Sequence, residues 1–138
     1  MFTGIIQEIG RVEVMAGRGG NSAITVDSSK LIGKLDIGSS IAINGVCLTL
    51  TELSRRRFTV EAIEETLSRT NLGQLRTGSS VNLEAPLKPD DLLHGHLVQG
   101  HVDCTGAISR ISRTGGSMIF AIDYPDEYGK FLIEKGSI

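Results

Sequence analysis

The chain repeats itself. Displaced by 96 residues, Gly4, Gly10, Gly19, Gly20 and Asp27 fall on Gly100, Gly106, Gly115, Gly116 and Asp123, five identities across the 24 positions from 4 to 27. Apolar positions agree in kind: Ile6 with Val102, Val12 with Ile108, Met15 with Ile111, Ile24 with Phe120, and Val26 with Ile122. After one inserted residue Ser40-Ile41 meets Ser137-Ile138. Whatever residues 1–96 fold into, residues 97–138 begin to fold into again, and they hold less than half of it. Half a sheet leaves unpaired N–H and C=O groups along its edges. Residues 97–138 would then pad the first unit, pair with another chain, or belong to a longer protein; the favoured expectation is one finished unit over 1–96, a truncated second copy over 97–138, and a parent protein of roughly 190–200 residues, twice the repeat.

The unit itself reads as all-β. The 17 glycines lie among short apolar runs, which points to many tight turns. Residues 4–14 are rich in Ile and Val, and residues 23–26 follow the turn-forming Gly19-Gly20-Asn21, so the two runs form a hairpin. Residues 40–52 read as a bent strand or strand pair with a turn or bulge at Asn44-Gly45. Phe58, Val60 and Ala62 alternate with polar neighbours, and Val81 and Leu83 share a face of a strand that Pro86 ends. Two short helices are expected. Asp27-Ser28-Ser29 would cap a turn over about 29–34, and Glu64-Glu65 would open a helix closed at Asn71 or Gly73. Pro125-Asp126-Glu127 would start the corresponding helix of the second copy.

Composition removes several classes of function. With 14 Lys+Arg against 16 Asp+Glu the formal net charge is −2, so no basic surface neutralises phosphates. There is no Trp, and 2 Tyr and 4 Phe give few platforms for stacked bases; no nucleic-acid partner is expected. No apolar run reaches the ~18 residues of a membrane helix, and the start MFTGIIQEIG lacks the basic region of a signal peptide. Cys47 and Cys104 are too few for a disulfide scaffold, consistent with reduced thiols in the cytoplasm.

MFTGI at the start, NGVCLT at 44–49, EETLSRTNLG at 64–73, VNLE at 81–84 and GHLVQGHVD at 95–103 resemble riboflavin synthase of the α-chain type and the related lumazine-binding proteins. The resemblance runs over the whole chain, and its motifs in that order are more specific than any one alone. It implies two similar six-stranded antiparallel Greek-key barrels with short helices, the second incomplete here. It implies a homotrimer built by a C-terminal helix, with each productive site between the first barrel of one subunit and the second barrel of another. The implied reaction is dismutation of two 6,7-dimethyl-8-ribityllumazine molecules to riboflavin and 5-amino-6-ribitylaminouracil by transfer of a four-carbon unit, with no cofactor and no metal.

Such chemistry needs two flat heterocycles held face to face, protons shuttled, and a nucleophile to add at C7 of the substrate. Its 7-methyl group is acidic because the carbanion spreads into the ring. Orientation supplies much of the barrier reduction. Strand-end backbone groups and small hydroxyls suit the polar edge of a lumazine because they approach closely. The resemblance places the ligand against Gly4, Ile5 and Ile6, against Cys47, Leu48 and Thr49, against Glu61, Ala62, Ile63, Glu64, Glu65 and Thr66, and against Gly100, His101 and Val102. It sets Phe2 beside the active site and Lys135 where a residue reaches a neighbouring subunit's ligand.

Each residue has a plainer role open to it. Cys47 fits an apolar run as a small buried side chain, or it contacts the ligand or acts as nucleophile. Thr49 is an ordinary strand residue or a ligand donor, Thr66 bonds back along its helix or reaches outward, and Glu65 complements the helix dipole. His94, His96, His101 and Cys104 have a loosely zinc-like spacing. In a straight strand, however, His101 lies on the opposite face and about 17 Å beyond His96, so one ion would hold them all only across a sharp bend at Gly100. His101 is the better acid–base candidate, because imidazole titrates near neutral pH. Two readings stand: a weakly active portion of the synthase that retains binding, with Cys47 and His101 catalytic, and a non-catalytic lumazine or flavin binder.

Overall fold

In a computed structural model residues 1–138 are described, the side chain of Arg18 excepted. They divide into two compact units, Met1–Val102 and Asp103–Ile138.

The first unit contains a closed barrel of six strands in the order β1-β2-β5-β4-β3-β6: β1 (Glu8–Arg18), β2 (Asn21–Asp27), β3 (Ser40–Ile43), β4 (Val46–Leu53), β5 (Arg57–Ala62) and β6 (Ser80–Glu84). Every neighbouring pair is antiparallel. Closure leaves no free edge among the six, which removes the unpaired backbone an open sheet exposes. Alternation decides the faces. Ile24 and Val26 of β2, Leu48 and Leu50 of β4, Phe58 and Val60 of β5, and Val81 and Leu83 of β6 point inward and fill the barrel. The connections complete this core: Leu31 and Leu35 flank a 3-10 turn (Ile32–Lys34), and Leu72 lies in another (Asn71–Gln74) after the helix α1 (Glu64–Arg69).

Strand β1 is long because it serves two neighbours. Residues Glu8 to Arg11 pair with β6, and Arg11 to Arg18 pair with β2 across a bulge between Val12 and Val14. Gly10 sits at that corner. A Cβ there would lie 2.5 Å from Leu83 Cδ1 and 2.9 Å from Val26 Cγ1, closer than packed atoms allow.

The second unit is a two-stranded sheet, β7 (Ala107–Thr114) and β8 (Ser117–Asp123), with a 3-10 helix over Asp126–Phe131 that takes Pro125 as its N-cap, one place earlier than the first-turn position expected. It reproduces the β1–β2 hairpin register for register. Val12 opposite Val26 becomes Ile108 opposite Ile122, Arg18 opposite Asn21 becomes Thr114 opposite Ser117, and the bulge recurs between Ile108 and Arg110. Even the corner recurs: a Cβ on Gly106 would meet Ile122 Cγ2 at 2.6 Å and the Asp123 carbonyl at 2.9 Å. The hairpin match read from the sequence is therefore present in the backbone.

Two local expectations change. The strand starts at Glu8 rather than at residue 4, because Gly4 adopts φ +79 and breaks the extended run. Asp27-Ser28-Ser29 does not cap the 29–34 turn with its own side chains. The Glu8 carboxylate, reaching from β1, takes that place.

Candidate functional site

The site begins where β3 turns into β4. Asn44 and Gly45 both have positive φ, 50 and 81, the arrangement of a tight hairpin turn. Asn44 also fixes the turn to its surroundings. Its Oδ1 accepts from the Asn82 amide at 2.9 Å, and its Nδ2 donates to Asn71 Oδ1 at 3.4 Å. Directly after the turn, β4 alternates: Val46, Leu48 and Leu50 are buried, whereas Cys47 is half-buried and Thr49 exposed. The inside of the barrel is thus filled, and Cys47 and Thr49 face outward. A flat ligand meeting them lies on the outer wall.

The glycine-rich segment 95–100 runs alongside this wall. The Cys47 amide donates to the Gly100 carbonyl at 2.8 Å. Gly100 has φ +79 and no room for a side chain, since a Cβ would sit 2.9 Å from Cys47 Cβ. Further back, Phe2 and Val98 exchange two backbone hydrogen bonds of 2.7 and 3.0 Å, and the His96 amide donates to the Thr3 carbonyl at 3.1 Å. Gly4, also at φ +79, lies against the His96 ring and Val98. Residues 2–4, 96–100 and 47 therefore form a continuous hydrogen-bonded run. Val102 packs partly against the core, and His101 beside it is exposed.

On the other side of β4 the ladder to β5 ends at Leu50 opposite Val60, and the chain continues through Glu61 and Ala62 to Ile63. Glu61 faces outward, Ala62 is fully buried, and Ile63 is exposed where it caps α1. The helix then divides its residues. Glu64 turns toward the β1–β2 turn: its amide donates to Asn21 Oδ1 at 3.2 Å, and it lines a hollow of about 640 Å³ with Met15, Gly20, Leu67 and Ser68. Glu65 pairs with Arg69 at 3.1 Å, and Thr66 is half-buried, its carbonyl accepting from Thr70 Oγ1 at 2.7 Å.

The sequence-derived residues thus separate into groups. Gly4 and Gly100 are linked through the 96–100 segment to Cys47, Thr49 follows Cys47 on the same face of β4, and Glu61 and Ile63 are exposed beyond the last β4–β5 pair. Leu48 and Ala62 have their side chains in the core, so only their backbone is available to a ligand. Phe2 is buried, at 1% exposure, and its backbone pairs with Val98. Ile6 is exposed, and Ile5 borders a separate hollow of about 370 Å³ lined by Thr3, Gln7, Lys34, Pro86 and His94. Lys135 belongs to the second unit, at a left-handed backbone position of φ 59. Among the described residues, no three His, Cys, Asp or Glu are grouped to hold a metal ion, and no helix is long and apolar enough to cross a membrane.

Sequence reasoning missed one residue here. Glu84, at the end of β6, shares the outer face with Ser80 and Asn82 yet is only 3% exposed, because the segment around Thr3 covers it. Its carboxylate accepts from the Thr3 amide (2.5 Å), Thr3 Oγ1 (2.6 Å) and the Gly4 amide (3.1 Å). The only signal in the sequence is an acidic residue closing an apolar strand.

Comparison with known proteins identifies the family and the fold. The lumazine binding domain family matches residues 3–86. Riboflavin synthase from Actinobacillus pleuropneumoniae is 40% identical over all 138 residues, and that from Bacillus subtilis is 41% identical; this chain spans 64% of the length of each. Among solved structures, LumP in complex with 6,7-dimethyl-8-(1'-D-ribityl) lumazine superposes with a TM-score of 0.81 at 21% identity, covering 92% of this chain and 71% of LumP. LumP in complex with riboflavin also gives 0.81, at 20% identity, covering 92% and 69%. At that identity the likeness speaks for the fold, and the barrel with its partial second sheet is the LumP fold. On the match over residues 3–86, the chain belongs to the lumazine-binding domain family.

Proposed function

We propose that this chain is the lumazine-gripping portion of a riboflavin synthase, a transferase that converts two 6,7-dimethyl-8-ribityllumazine molecules to riboflavin and 5-amino-6-ribitylaminouracil. The observation that carries the reading is the close approach of the Gly100 carbonyl to the Cys47 amide, with Thr49 exposed two residues further along the same face of β4. Gly4 and Gly100, both at φ +79, keep the backbone there free of side chains of their own. Relatives named riboflavin synthase, 40% identical along the entire chain, point to the same activity.

In this reading the wall binds the ring edge through backbone groups, Thr49 and Thr66. Cys47 is hydrogen-bonded to Gly100 and the exposed His101 follows Gly100 in the chain, and in this reading the two serve addition at C7 and proton transfer. Residues 97–138 open a second barrel, the assembled protein is a cytoplasmic homotrimer, and the productive site takes residues from two subunits. The second unit supplies only a two-stranded sheet, so these 138 residues by themselves bind ligand and turn over slowly.

Mixing the chain with the lumazine substrate and following flavin fluorescence tests the reading. Riboflavin titration should quench fluorescence through a saturable site, with product formation far below that of a full-length relative. Absence of saturable binding at high protein concentration sinks it. Thr49→Val and Thr66→Val should each weaken binding by roughly 1–3 kcal/mol through an unpaired polar edge. Unchanged affinity in both places the ligand elsewhere. Binding without any turnover in a chain carrying two finished barrels would favour the non-catalytic binder instead.

A further inference from the structure

We propose that Glu84 is a positioning residue for the ligand wall, an inference that rests on the function proposed above. Its carboxylate is buried, and all three of its bonds go to one short stretch: the Thr3 amide, Thr3 Oγ1 and the Gly4 amide. That stretch is not otherwise part of the barrel, since β1 begins only at Glu8. Glu84 is therefore the side chain that ties Thr3 and Gly4 to the barrel side wall, next to the buried Phe2.

The consequence passes along the chain of contacts. Thr3 accepts from the His96 amide, and Phe2 is bridged to Val98, so the clamped segment is the template on which residues 96–98 are laid. Two residues on, the Gly100 carbonyl meets the Cys47 amide. The fit tolerates little displacement. A Cβ on Gly95 would lie 2.1 Å from the Thr3 carbonyl, and one on Gly100 would lie 2.9 Å from Cys47 Cβ. Backbones this close transmit a shift at Thr3 directly to Gly100. Glu84 itself sits in β6 opposite Ala42 of β3, which in turn pairs with Cys47, so both ends of the run are referred to the same three strands. A charged acceptor is needed because three converging donors, two of them backbone N–H groups, leave no place for an amide's own N–H.

Glu8 supplies the control. It too is a buried carboxylate holding backbone donors, but it holds residues 28–31 and not residues 2–4. The experiment measures riboflavin affinity by fluorescence quenching for the 138-residue chain and its variants, with the folded fraction read by circular dichroism on the same samples. Glu84→Gln should raise Kd by roughly tenfold or more and shift the visible band of the bound flavin, and Thr3→Val, which removes one donor, should raise it about threefold. Glu8→Gln should stay within about twofold of the parent chain despite comparable loss of stability. If the parent chain binds riboflavin and both Glu84→Gln and Thr3→Val bind equally well with an unaltered band, the positioning role is wrong and the proposed function stands. Equal weakening in Glu8→Gln reduces Glu84 to a structural group and overturns the proposal too. If the parent chain binds no riboflavin, the functional reading falls and this inference with it. Should Glu84→Gln fail to fold, Thr3→Val decides the matter.

Discussion

Glu8 and Glu84 are the two buried carboxylates of the first unit, and both tie a connection to the barrel. Burial works to raise the pKa of Glu8. The hydrogen bonds from Ser28, Ser29, Leu31 and Lys30 outweigh it and hold the carboxyl at about 2, from an ordinary 4.5. A carboxylate with a depressed folded-state pKa adds stability that is fully present above the unfolded value and is lost as pH falls through the folded one. Here the window runs from about pH 4.5 down to about 2, and the full contribution is about 3 kcal/mol. Glu8→Gln should therefore destabilise the barrel by about that amount at neutral pH and flatten its acid limb within the window. Urea unfolding across the pH range reads both, and a variant with the parent's acid limb would assign that limb to other groups. Neither carboxylate was legible in the sequence. An acidic residue at a strand end looks like a solvated charge until the tertiary fold lays a connection over it, and both donor sets come from residues distant in sequence, 20 or more positions away for Glu8 and 80 or more for Glu84.

At the scale of elements the sequence was more informative, because strand alternation and turn chemistry are local. The inward sets of β2, β5 and β6 follow the apolar alternation directly, and Asn44-Gly45 is a turn as its residue types required. The ends of elements were less legible. A β1 start at residue 8 depends on Gly4 being bent and on pairing with β6, and no local pattern encodes either. The wall of the candidate site shows the same division. Its strand residues, Cys47 and Thr49, follow from alternation, whereas the placing of residues 96–100 depends on glycines that fit only against particular backbones. The β3–β4 turn offers a test that separates its two contributions. Asn44→Ala loses both side-chain hydrogen bonds and puts Cβ chemistry poorly suited to φ 50, whereas Asn44→Gly loses only the bonds. Asn44→Ala should cost roughly 2–3 kcal/mol and Asn44→Gly about 1 less. Chemical denaturation of the two variants gives the difference; equal costs would mean that the backbone conformation carries no strain.

Across the molecule the two copies of one hairpin have opposite surroundings. Val12, Ile24 and Val26 are 0–1% exposed in the barrel, and their counterparts Ile108, Phe120 and Ile122 are 49–59% exposed. The local structure is nonetheless the same, down to the bulge and the cramped glycine corner. Hairpin geometry is thus encoded within some twenty residues, while its stability comes from the four other strands that close around β1 and β2. A two-stranded sheet with a bare apolar face is marginal in water. Amide hydrogen exchange followed by mass spectrometry should reveal this directly. Peptides covering β7 and β8 should exchange roughly a hundredfold faster than those covering β1 and β2, in which the amides open only with the barrel. The comparison is internally controlled, because register, bulge and turn are matched and only burial differs. Equal protection of the two hairpins would mean that the face of Ile108, Phe120 and Ile122 is covered in solution, and protection that rises with protein concentration would identify the cover as another copy of the chain.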